Sequence, residues 1–349
     1  MAIRHVTLAD VAARSGVSPA TVSRVLSTER GFRPATRARV LAAAQELDYR
    51  PSAVARALKR RMTHTIGLVV TDIENPFYPQ IVRAVEDAAH DRGYALLLCN
   101  AADDAARELA YLNLLLERRV DGILVASSRA TRRHAQVLRT APVPVVLLNS
   151  AAPGSGLPAV DGDHRRGARL AAEHLLRLGH TVIGHISAPD TNAAARDRLT
   201  GVHDAIRAAA RRRHAGSGGI PAVRLEVAIG DGHVAGGELA ARALLAVPGL
   251  TGIACYNDLT AIGALRAVRA FGRRVPDDVS IVGFDDIDLA AWTDPPLTTV
   301  RQPTTEMSRW AVERLAEAIS ESRPVTSAAR TLHLRPELVE RLSTGPPPG

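Results

Sequence analysis

The sequence predicts an N-terminal all-α module followed by an α/β body made of two doubly wound parallel-sheet subdomains. Three observations support this. All of the net positive charge lies in the first 61 of 349 residues. Apolar residues in that segment recur at helical spacing, whereas from residue 66 onward short apolar runs alternate with helical stretches. At roughly 100–200 residues per domain, the chain is also long enough for two or three domains.

The charge is divided sharply between the two parts. The first 61 residues hold twelve lysines and arginines against four acidic residues, whereas the remaining 288 hold 32 of each sign. A basic module joined to a neutral body predicts a polyanionic partner for the module. A solvated basic face is the alternative, and charge alone does not decide between them.

The composition excludes several classes of protein. A hydrophobic fraction of 46% is enough for a sizeable core and argues against a disordered chain. Two cysteines, Cys99 and Cys255, cannot form a disulfide scaffold or a cysteine-based zinc site. The first residues lack an apolar run of signal-peptide length, and no run of 18 apolar residues follows. We therefore expect a cytoplasmic protein without a membrane span.

The N-terminal module is predicted to contain three helices and a short fourth segment. Leu8, Val11 and Ala12 have helical spacing, and Ser18-Pro19 is typical of a helix start. The second helix places Val22, Val25 and Leu26 on one face, and the third, about 34–47, is predicted to point Val40, Leu41, Ala44 and Leu47 inward. Ser52 is predicted to cap a short segment at 53–58.

Strand and helix patterns alternate through the body. The predicted strands are 66–71, 95–99, 122–126, 145–148, 182–187, 225–229, 252–256, 280–284 and 331–334. The predicted helices are 77–90, 104–117, 132–140, 167–178, 195–212, 234–246, 260–271 and 302–320. The pattern restarts after a Pro-, Gly- and Ser-rich loop at 151–158, which predicts two similar halves facing each other across a ligand cleft. The tail, 344–349, is predicted to be frayed.

Residues 7–26, TLADVAARSGVSPATVSRVL, have the pattern of a helix-turn-helix. Ala12 is small enough for two helices to cross, Gly16 permits a tight turn, and Val17 fills the angle between the helices. In such a motif the second helix lies in the DNA major groove, and its first residues reach the base edges.

Residues 3–61 closely resemble the DNA-binding headpiece of the LacI/GalR family of bacterial transcription regulators, through VTLADVAARSGVSPATVSRVL and TRARVLAAAQELDYRPSAVARAL. The body resembles the same family through IGLVVTDIENPFYPQIVRAVEDAAHDRGY, YNDLTAIGALRA, VPDDVSIVGFDDIDLA and PPLTTVRQP. The resemblance covers residues 3–342. It implies a periplasmic-binding-protein-like body, a homodimer, and a ligand-responsive repressor of transcription that binds a near-palindromic DNA operator.

The resemblance assigns DNA contacts residue by residue. Pro19, Ala20 and Arg24 match base-reading positions, and an arginine can bind guanine through two hydrogen bonds. A phosphate contact or a solvated helix position is the alternative for Arg24. The other matching DNA-binding positions are Thr7, Ser18, Thr21, Ser23, Tyr49, Ser52, Ala55 and Leu58.

Residues 53–58 resemble the hinge helix of the family. In that family the leucine matching Leu58 enters the minor groove and wedges a central base step. An ordinary apolar residue facing the body is the alternative. Ser52 stands where the family usually has asparagine.

A small-molecule effector, sugar-like in its chemistry, is implied for the cleft. The matching positions are Phe77, Tyr78, Asn149, Asn192, Arg198, Asn257 and Asp285. Aromatic faces and hydrogen-bonding side chains of this kind suit a sugar. The alternatives are a core position for Phe77 and a helix cap for Asn257. His164 and Gly232 depart from the residues that relatives often carry.

Other chemistry finds little support in the sequence. Asp285, Asp286 and Asp288 lack the spacing of an EF-hand, and the histidines lack zinc-binding spacing. No nucleophile–base arrangement is evident, so we expect no cofactor, no metal and no enzymatic activity. A solute-binding protein of a transport system is the main alternative. An α/β enzyme is the second.

The domain boundaries follow from these patterns. We expect a DNA-binding domain at 1–50, a hinge and linker at 51–63, an effector-binding and dimerisation domain at 64–342, and a tail at 343–349. Within the third, the N-subdomain is predicted at 64–162 and 292–322, and the C-subdomain at 163–291 and 323–342. The C-terminal residues have no heptad pattern that predicts tetramers.

Overall fold

The computed structural model describes residues 6–27, 31–49, 62–126, 137–138, 140–150, 156–189, 192–214, 222–321 and 331–349. The chain divides into two compact units, Met1–Thr63 and His64–Gly349, called here the headpiece and the body. The predicted hinge positions Ser52, Ala55 and Leu58 lie outside the described residues, as does most of the predicted helix at 132–140.

Three helices form the described headpiece: α1 (Leu8–Ser15), α2 (Pro19–Ser27) and α3 (Pro34–Glu46). They pack around one small apolar core of Val11, Ala12, Val22, Val25, Val40, Ala43 and Ala44. The inward direction predicted for Leu41 is wrong, because its side chain is 43% exposed. Val40, Ala43 and Ala44 are spaced i, i+3, i+4 on one helix face, and Leu41 lies outside that stripe.

The body contains the following elements in chain order: β1 (Thr65–Val70), α4 (Phe77–His90), β2 (Ala95–Asn100), α5 (Ala105–Glu117), β3 (Gly122–Ala126), β4 (Val145–Leu148), β5 (Ala159–Gly162), α6 (His164–Leu178), β6 (Val182–Ser187), α7 (Ala193–His214), β7 (Arg224–Ile229), α8 (Val234–Leu245), β8 (Gly252–Cys255), α9 (Asp258–Ala270), β9 (Ser280–Val282), β10 (Thr299–Arg301), α10 (Thr304–Glu321), β11 (Leu332–Leu334) and β12 (Glu337–Val339).

The first sheet has six parallel strands in the order β11-β5-β4-β3-β1-β2. Its inner strands β3 and β4 are buried along their whole length, as expected for strands covered on both faces. Helices α4 and α10 pack together and cover one face, while α5 covers the other.

The second sheet has four parallel strands in the order β7-β6-β8-β9. Helices α6 and α7 pack on one face of it, and α8 and α9 pack on the other. A separate two-stranded ribbon pairs β10 with β12 in antiparallel orientation. The fold is therefore the doubly wound α/β body that the sequence predicts.

Strand β11 corrects the predicted division of the body. The predicted second subdomain includes residues 323–342, yet β11 pairs with β5 at the edge of the first sheet. The chain then returns, since β12 pairs with β10 and packs against α6. A three-residue strand carries no pairing information in its own sequence, so only the tertiary structure decides which edge it joins.

The prediction that residues 344–349 form a frayed tail is also wrong for the first residues of this segment. The carbonyl of Gly345 accepts hydrogen bonds from Ser280 Oγ at 3.0 Å and from His180 Nε2 at 3.0 Å. Ser343 is fully buried, and its carbonyl accepts from the amide of Ile281 at 2.8 Å. Partners more than 60 residues away hold this segment against the second sheet.

Candidate functional site

Helix α2 presents its polar residues to solvent and its apolar residues to the headpiece core. Val22 and Val25 are buried, whereas Pro19, Ala20 and Arg24 are exposed or partly exposed. Helical periodicity separates the two faces, since residues 22 and 25 are three apart. The predicted base-reading positions therefore lie together on an accessible surface.

Caps at the starts of α1 and α2 fix the geometry of this surface. Thr7 forms a capping box with Asp10, whose carboxylate accepts from the Thr7 amide at 2.8 Å. Ser18 Oγ accepts from the amide of Thr21 at 3.2 Å and lies 2.9 Å from the Thr21 hydroxyl. Between the helices, Gly16 has φ of 67°, which glycine adopts without strain.

Two further contacts orient residues near this surface. The guanidinium of Arg24 lies over the ring of Phe32, 5.7 Å from its centroid. The amide of Tyr49 donates to the carbonyl of Ala44 at 2.8 Å, which holds Tyr49 against the end of α3.

Both sheets of the body have a point where the strand order reverses. Strand β1 lies between β2 and β3, and β6 lies between β7 and β8 in the same way. In doubly wound sheets, ligands bind beyond the carboxyl ends of the strands at such points. The loops after β1, β6 and β8 are therefore the expected lining of a ligand site.

A cavity of about 60 Å³ lies among those loops. Residues that follow β1, β2, β6, β7 and β8 line it: Thr71, Asp72, Asn75, Tyr78, Asp103, Ala188, Pro189, Asn192, Asp231, Gly232, His233, Tyr256 and Asn257. Both sheets contribute, and three predicted effector residues, Tyr78, Asn192 and Asn257, are in the lining. We call this cavity, together with the adjoining cluster of Arg198, Asp285, Gln302 and His164, the cleft site.

Arg198 is the centre of a buried polar cluster beside the cavity. Its Nη2 donates to Asp285 Oδ1 at 3.4 Å, and its Nη1 donates to the carbonyl of Tyr256. Gln302 Nε2 donates to the same Asp285 oxygen at 2.7 Å. The guanidinium also lies 3.7 Å from the ring centroid of Phe284. Arg198 is therefore fixed by a carboxylate, a carbonyl and an aromatic face.

His164 connects this cluster to the first sheet. Its Nδ1 lies 3.3 Å from Arg198 Nη2, which can only donate, so Nδ1 is the acceptor. Its Nε2 lies 3.1 Å from the carboxylate of Asp161 in β5. The polar chain thus runs from β5 through the first turn of α6 to Asp285.

Several buried polar atoms of the cleft site have no hydrogen-bond partner among the described residues. They are Arg198 Nε, Gln302 Oε1 and Asp161 Oδ1, and Asn149 Oδ1 at the end of β4 is a further buried atom of this kind. Buried polar groups are normally paired, so such atoms call for a water molecule or a ligand. Gln302 Oε1 would lie 2.6 Å from a Cβ at position 162, so a larger residue there would require the end of the Gln302 side chain to move.

Two buried carboxyl groups differ from exposed ones in their titration. Burial raises the pKa of Asp285, and Arg198 and Gln302 offset part of that effect. Burial, together with the nearby Asp285, raises the pKa of Asp258 well above its ordinary value. Asp258 accepts from the amide of Ile287 at 2.9 Å and from Thr299 Oγ1 at 2.5 Å, which ties the start of α9 to β10 and to the segment after β9.

The remaining predicted effector residues are placed as follows. Asn149 directly follows β4 with φ of 51° and is buried. Phe77 is part of the apolar core and packs edge-on against Tyr78, as its alternative interpretation held. Asn257 lines the cavity and also caps α9, because its Oδ1 accepts from the amide of Thr260 at 2.9 Å.

The sequence reasoning missed Asp161, Gln302, Tyr256 and Asp258 as members of the cleft site. Tyr256 is adjacent to the predicted Asn257, and its hydroxyl accepts from Asn192 Nδ2 at 2.9 Å. Gln302 stands in the quoted segment PPLTTVRQP, so the signal was present. Asp161 lies in a strand that was not predicted.

The described residues contain neither a candidate metal centre nor a candidate membrane span. No group of three or more His, Cys, Asp and Glu side chains in that part of the chain is arranged to hold a metal ion. No helix there combines the length and the apolarity needed to cross a bilayer.

A helix-turn-helix surface on a basic unit, together with a ligand cleft between two doubly wound sheets, defines a ligand-responsive DNA-binding regulator. Comparison with known proteins identifies the family. Residues 7–52 match the model described as bacterial regulatory proteins, lacI family, and residues 63–333 match the periplasmic binding proteins and sugar binding domain of the LacI family. The chain belongs to the LacI family of bacterial regulatory proteins.

Individual relatives agree over nearly the full length. The ribose operon repressor of Escherichia coli K12 is 37% identical over 96% of this chain and 98% of its own. The repressor PurR of Photobacterium profundum is 35% identical over 97% of this chain and 98% of its own. A Lac repressor dimer bound to operator and the anti-inducer ONPF covers 98% of this chain and 100% of its own at 29% identity, with a TM-score of 0.83.

Proposed function

We propose that this chain is a homodimeric repressor that binds a near-palindromic operator and responds to a small polyhydroxylated molecule, sugar-like in its chemistry, in the cleft site. The observation that carries the effector part is the set of buried polar atoms without partners on Arg198 and Gln302 in the cleft site and on Asn149 at the end of β4. A ligand rich in hydroxyl groups supplies both donors and acceptors to such atoms.

The DNA part of the proposal rests on α2. Arg24 would bind a base edge, with Pro19 and Ala20 making apolar contacts, while Thr21 and Ser23 contact phosphates. Because a dimer with two-fold symmetry reads two equivalent half-sites, its operator is near-palindromic. Thr7, Ser18 and Tyr49 complete the surface, and Ser52, Ala55 and Leu58 keep the hinge roles that the family implies. Such a regulator acts where the chromosome lies, in the cytoplasm.

Relatives support a sugar-like effector. A LacI family regulator from Enterococcus faecium with bound ribose is 30% identical over 81% of this chain, with a TM-score of 0.70. A CelR–cellobiose complex is 33% identical over 97%, with a TM-score of 0.69. In this chain, the side chains of Tyr78 and Tyr256 offer aromatic faces, and Asn192, Asn257 and Asp285 offer hydrogen-bonding groups.

The proposed mechanism is a shift in population. The effector contacts residues of both sheets, so it favours the arrangement of the sheets that it fits best. Operator affinity then changes by the same free energy with which operator binding changes effector affinity.

The DNA-binding part is tested by selecting an operator from a random duplex library with the full chain. We expect a selected site with two related half-sites. A chain lacking residues 1–61 should bind neither this site nor random duplex. Equal binding by the shortened chain would contradict the assignment of the headpiece.

The effector part is tested by a thermal-shift screen of sugars and nucleosides, starting with ribose and cellobiose. A ligand present at 100 times its Kd stabilises the protein by about 2.7 kcal/mol. Each hit is then added to the selected operator complex. If no hit changes operator affinity, the effector-responsive part of the proposal is wrong.

A further inference from the structure

Two neighbouring residues after β9, Asp285 and Asp286, have backbone conformations that residues other than glycine rarely adopt. Asp285 has φ of 118° and Asp286 has φ of 56°. Such conformations persist where the surrounding contacts hold them, which happens most often at functional sites. We call residues 284–287 the corner. Because Asp285 is the carboxylate of the cleft site, the contacts that hold the corner also position that carboxylate.

Asp258, the first residue of α9, holds both ends of the corner. Its amide donates to the carbonyl of Phe284 at 2.8 Å, and its Oδ2 accepts from the amide of Ile287 at 2.9 Å. Between these ends, the amide of Asp285 donates to the carbonyl of Val300 in β10 at 2.8 Å. These bonds fix the start and the end of the corner against α9 and β10.

The carboxylate of Asp286 binds two arginines. Arg301 Nε donates to its Oδ2 at 2.7 Å, and Arg341 Nη2 donates to its Oδ1 at 2.6 Å. Only 8% of the Asp286 side chain is exposed. Arg341 is itself held in place, because its Nη1 donates to the carbonyl of Leu297 at 2.8 Å. Hydrogen bonds between charged groups are stronger than neutral ones, so Asp286 fixes the middle of the corner to both arginines.

Both arginines lie on segments of the chain that cross between the two sheets. Arg301 is the last residue of β10, and α10, which begins three residues later, packs on the first sheet. Arg341 lies two residues after β12, and the chain reaches β12 from β11 in the first sheet. We call 299–304 and 332–341 the crossing segments. Gln80 of α4, also on the first sheet, donates to the carbonyl of Asp286 at 3.3 Å. Asp286 therefore connects the corner to the first sheet.

We propose that Asp286 is a positioning residue for the cleft site: it holds Asp285 in place for the effector and couples effector binding to the two crossing segments. The proposal rests on the effector-responsive repressor of the proposed function. Asp286 acts through its neighbours, because its carboxylate is occupied by two guanidinium groups. Since both crossing segments bind that carboxylate, a movement of Asp285 toward an effector moves the crossing segments as well.

Hydrogen exchange of the full chain without effector tests whether Asp286 holds the corner. Asp286→Asn removes the charge and keeps the shape of the side chain. Loss of the charged hydrogen bonds should speed exchange at the amides of Asp285 and Ile287 by about 10-fold or more. Asp278→Asn is the matched control and should leave both amides unchanged, because it removes another Asp–Arg pair of the body, in which Arg274 Nε donates to Asp278 Oδ2 at 3.0 Å. Unchanged exchange at the corner in Asp286→Asn would overturn the proposal.

Effector binding tests the positioning role itself. The probe is ribose or, if ribose does not bind, the sugar or nucleoside that raises the melting temperature most. Calorimetry should show probe affinity about 10-fold weaker in Asp286→Asn and unchanged in Asp278→Asn. The ratio of operator affinities with and without saturating probe should also move toward one in Asp286→Asn. A purely structural role would lower the melting temperature and leave both of these readouts at their wild-type values.

Variants of Arg301 test the same contact from the other side. Arg301→Gln should weaken probe binding by less than Asp286→Asn, and Arg301→Lys, which keeps the charge, should restore part of the loss. Combining Arg301→Gln with Asp286→Asn should cost less than the sum of the two single losses, because both remove one contact. Arg301 is 54% exposed, so its variants provide the test even if Asp286→Asn does not fold. Circular dichroism melts establish which variants are folded.

The outcomes separate this proposal from the proposed function. Wild-type probe affinity and a wild-type operator response in a folded Asp286→Asn chain would overturn the positioning role and leave the effector site in place. Additive losses in the double variant would indicate two separate local defects and would also overturn it. If no sugar or nucleoside binds the wild-type chain, the effector part of the proposed function fails, and the positioning role fails with it.

Discussion

Helix α2 and the cluster around Asp285 are both polar, but their side chains meet different surroundings. Arg24 lies on the outer face of its helix near the ring of Phe32, whereas Arg198 is buried against Asp285, Tyr256 and Phe284. Arg24 is exposed to solvent and so keeps much of its hydration. The buried arginine has lost its hydration, so the protein itself must supply partners. The first arrangement suits a large polyanion, and the second suits a small ligand.

Because the cluster around Asp285 is buried and helix α2 is exposed, we expect a substitution of Asp285 to have the largest effect on stability and binding. Asp285→Ala leaves Arg198 buried without its carboxylate, and breaking a buried ion pair in this way costs about 3–5 kcal/mol of unfolding free energy. Effector affinity should also fall by at least ~1–3 kcal/mol. Urea unfolding and calorimetry with the identified effector measure the two losses.

Asp285→Asn is the matched control, because it keeps an acceptor oxygen and the side-chain volume. Asp285→Asn should lose less stability than Asp285→Ala while still weakening effector binding. Wild-type stability and wild-type effector affinity in Asp285→Ala would show that the cluster is not a ligand site.

Acidification should affect the body through a buried histidine. Burial lowers the pKa of His185 to about 4, while its unfolded value is about 6.5. The unfolded chain therefore binds a proton between these values and the folded chain does not. The contribution of neutral, buried His185 to the free energy of unfolding is therefore complete above pH 6.5. It falls as the pH drops toward 4, by on the order of 3 kcal/mol.

Urea unfolding at pH 7, 5.5 and 4.5 tests this expectation. Burial also lowers the pKa of His174 and His180, which hold the tail, so they add to the same trend. His185→Gln, which keeps a donor for the carbonyl of Ala254, should show a smaller loss between pH 7 and 4.5. An identical pH profile in this variant would exclude His185 as a source of the effect.

On the exposed helix, Arg24→Ala should cost ~1–3 kcal/mol in specific operator binding and relax the preference at one base pair per half-site. Its fold should be unchanged, because the core residues Val22 and Val25 are on another face of the helix. Gel-shift titrations on the selected operator and on random duplex measure the change. An equal loss on both DNAs would make Arg24 a phosphate contact.

The smallest effect is expected at the helix cap. Ser18→Ala removes the side-chain acceptor of the Thr21 amide, which then keeps only the carbonyl of residue 18 at 2.9 Å, and should cost about 1 kcal/mol of local helix stability. Hydrogen exchange at the Thr21 amide in the full chain should accelerate accordingly. Ser18→Asp, which restores an acceptor, should slow exchange again, and a failure to do so would show that the cap does not limit opening of α2.

Local patterns were sufficient for most of the elements. Helix α4 and strands β3, β4 and β6 have the predicted bounds, because each combines a clear apolar period with flanking residues that end it. Strands β10 and β12 were missed, since three residues are too short to show a period. Their pairing depends on partners far away in the chain.

The two candidate sites also differ in how far local sequence patterns predict them. The headpiece surface could be predicted from the sequence because most of its described positions lie in one helix and its cap, and helical geometry fixes which residues face outward. The cleft site could be predicted only in part. Arg198 and Asp285 were named, but no local pattern indicated that Arg198 would contact His164 and the carbonyl of Tyr256.

By itself, the sequence determined the basic headpiece, the helix-turn-helix and the doubly wound body, because short-range periodicity and charge encode them. Its resemblance to the LacI/GalR family indicated the class of regulator. Only the tertiary structure decided that β11 joins the first sheet, that the tail is held by His180, and that Asp161, His164, Arg198, Asp285 and Gln302 form one buried chain. Those contacts join residues up to 165 positions apart. Their formation depends on how the sheets and helices pack, and no local pattern of side chains specifies that packing.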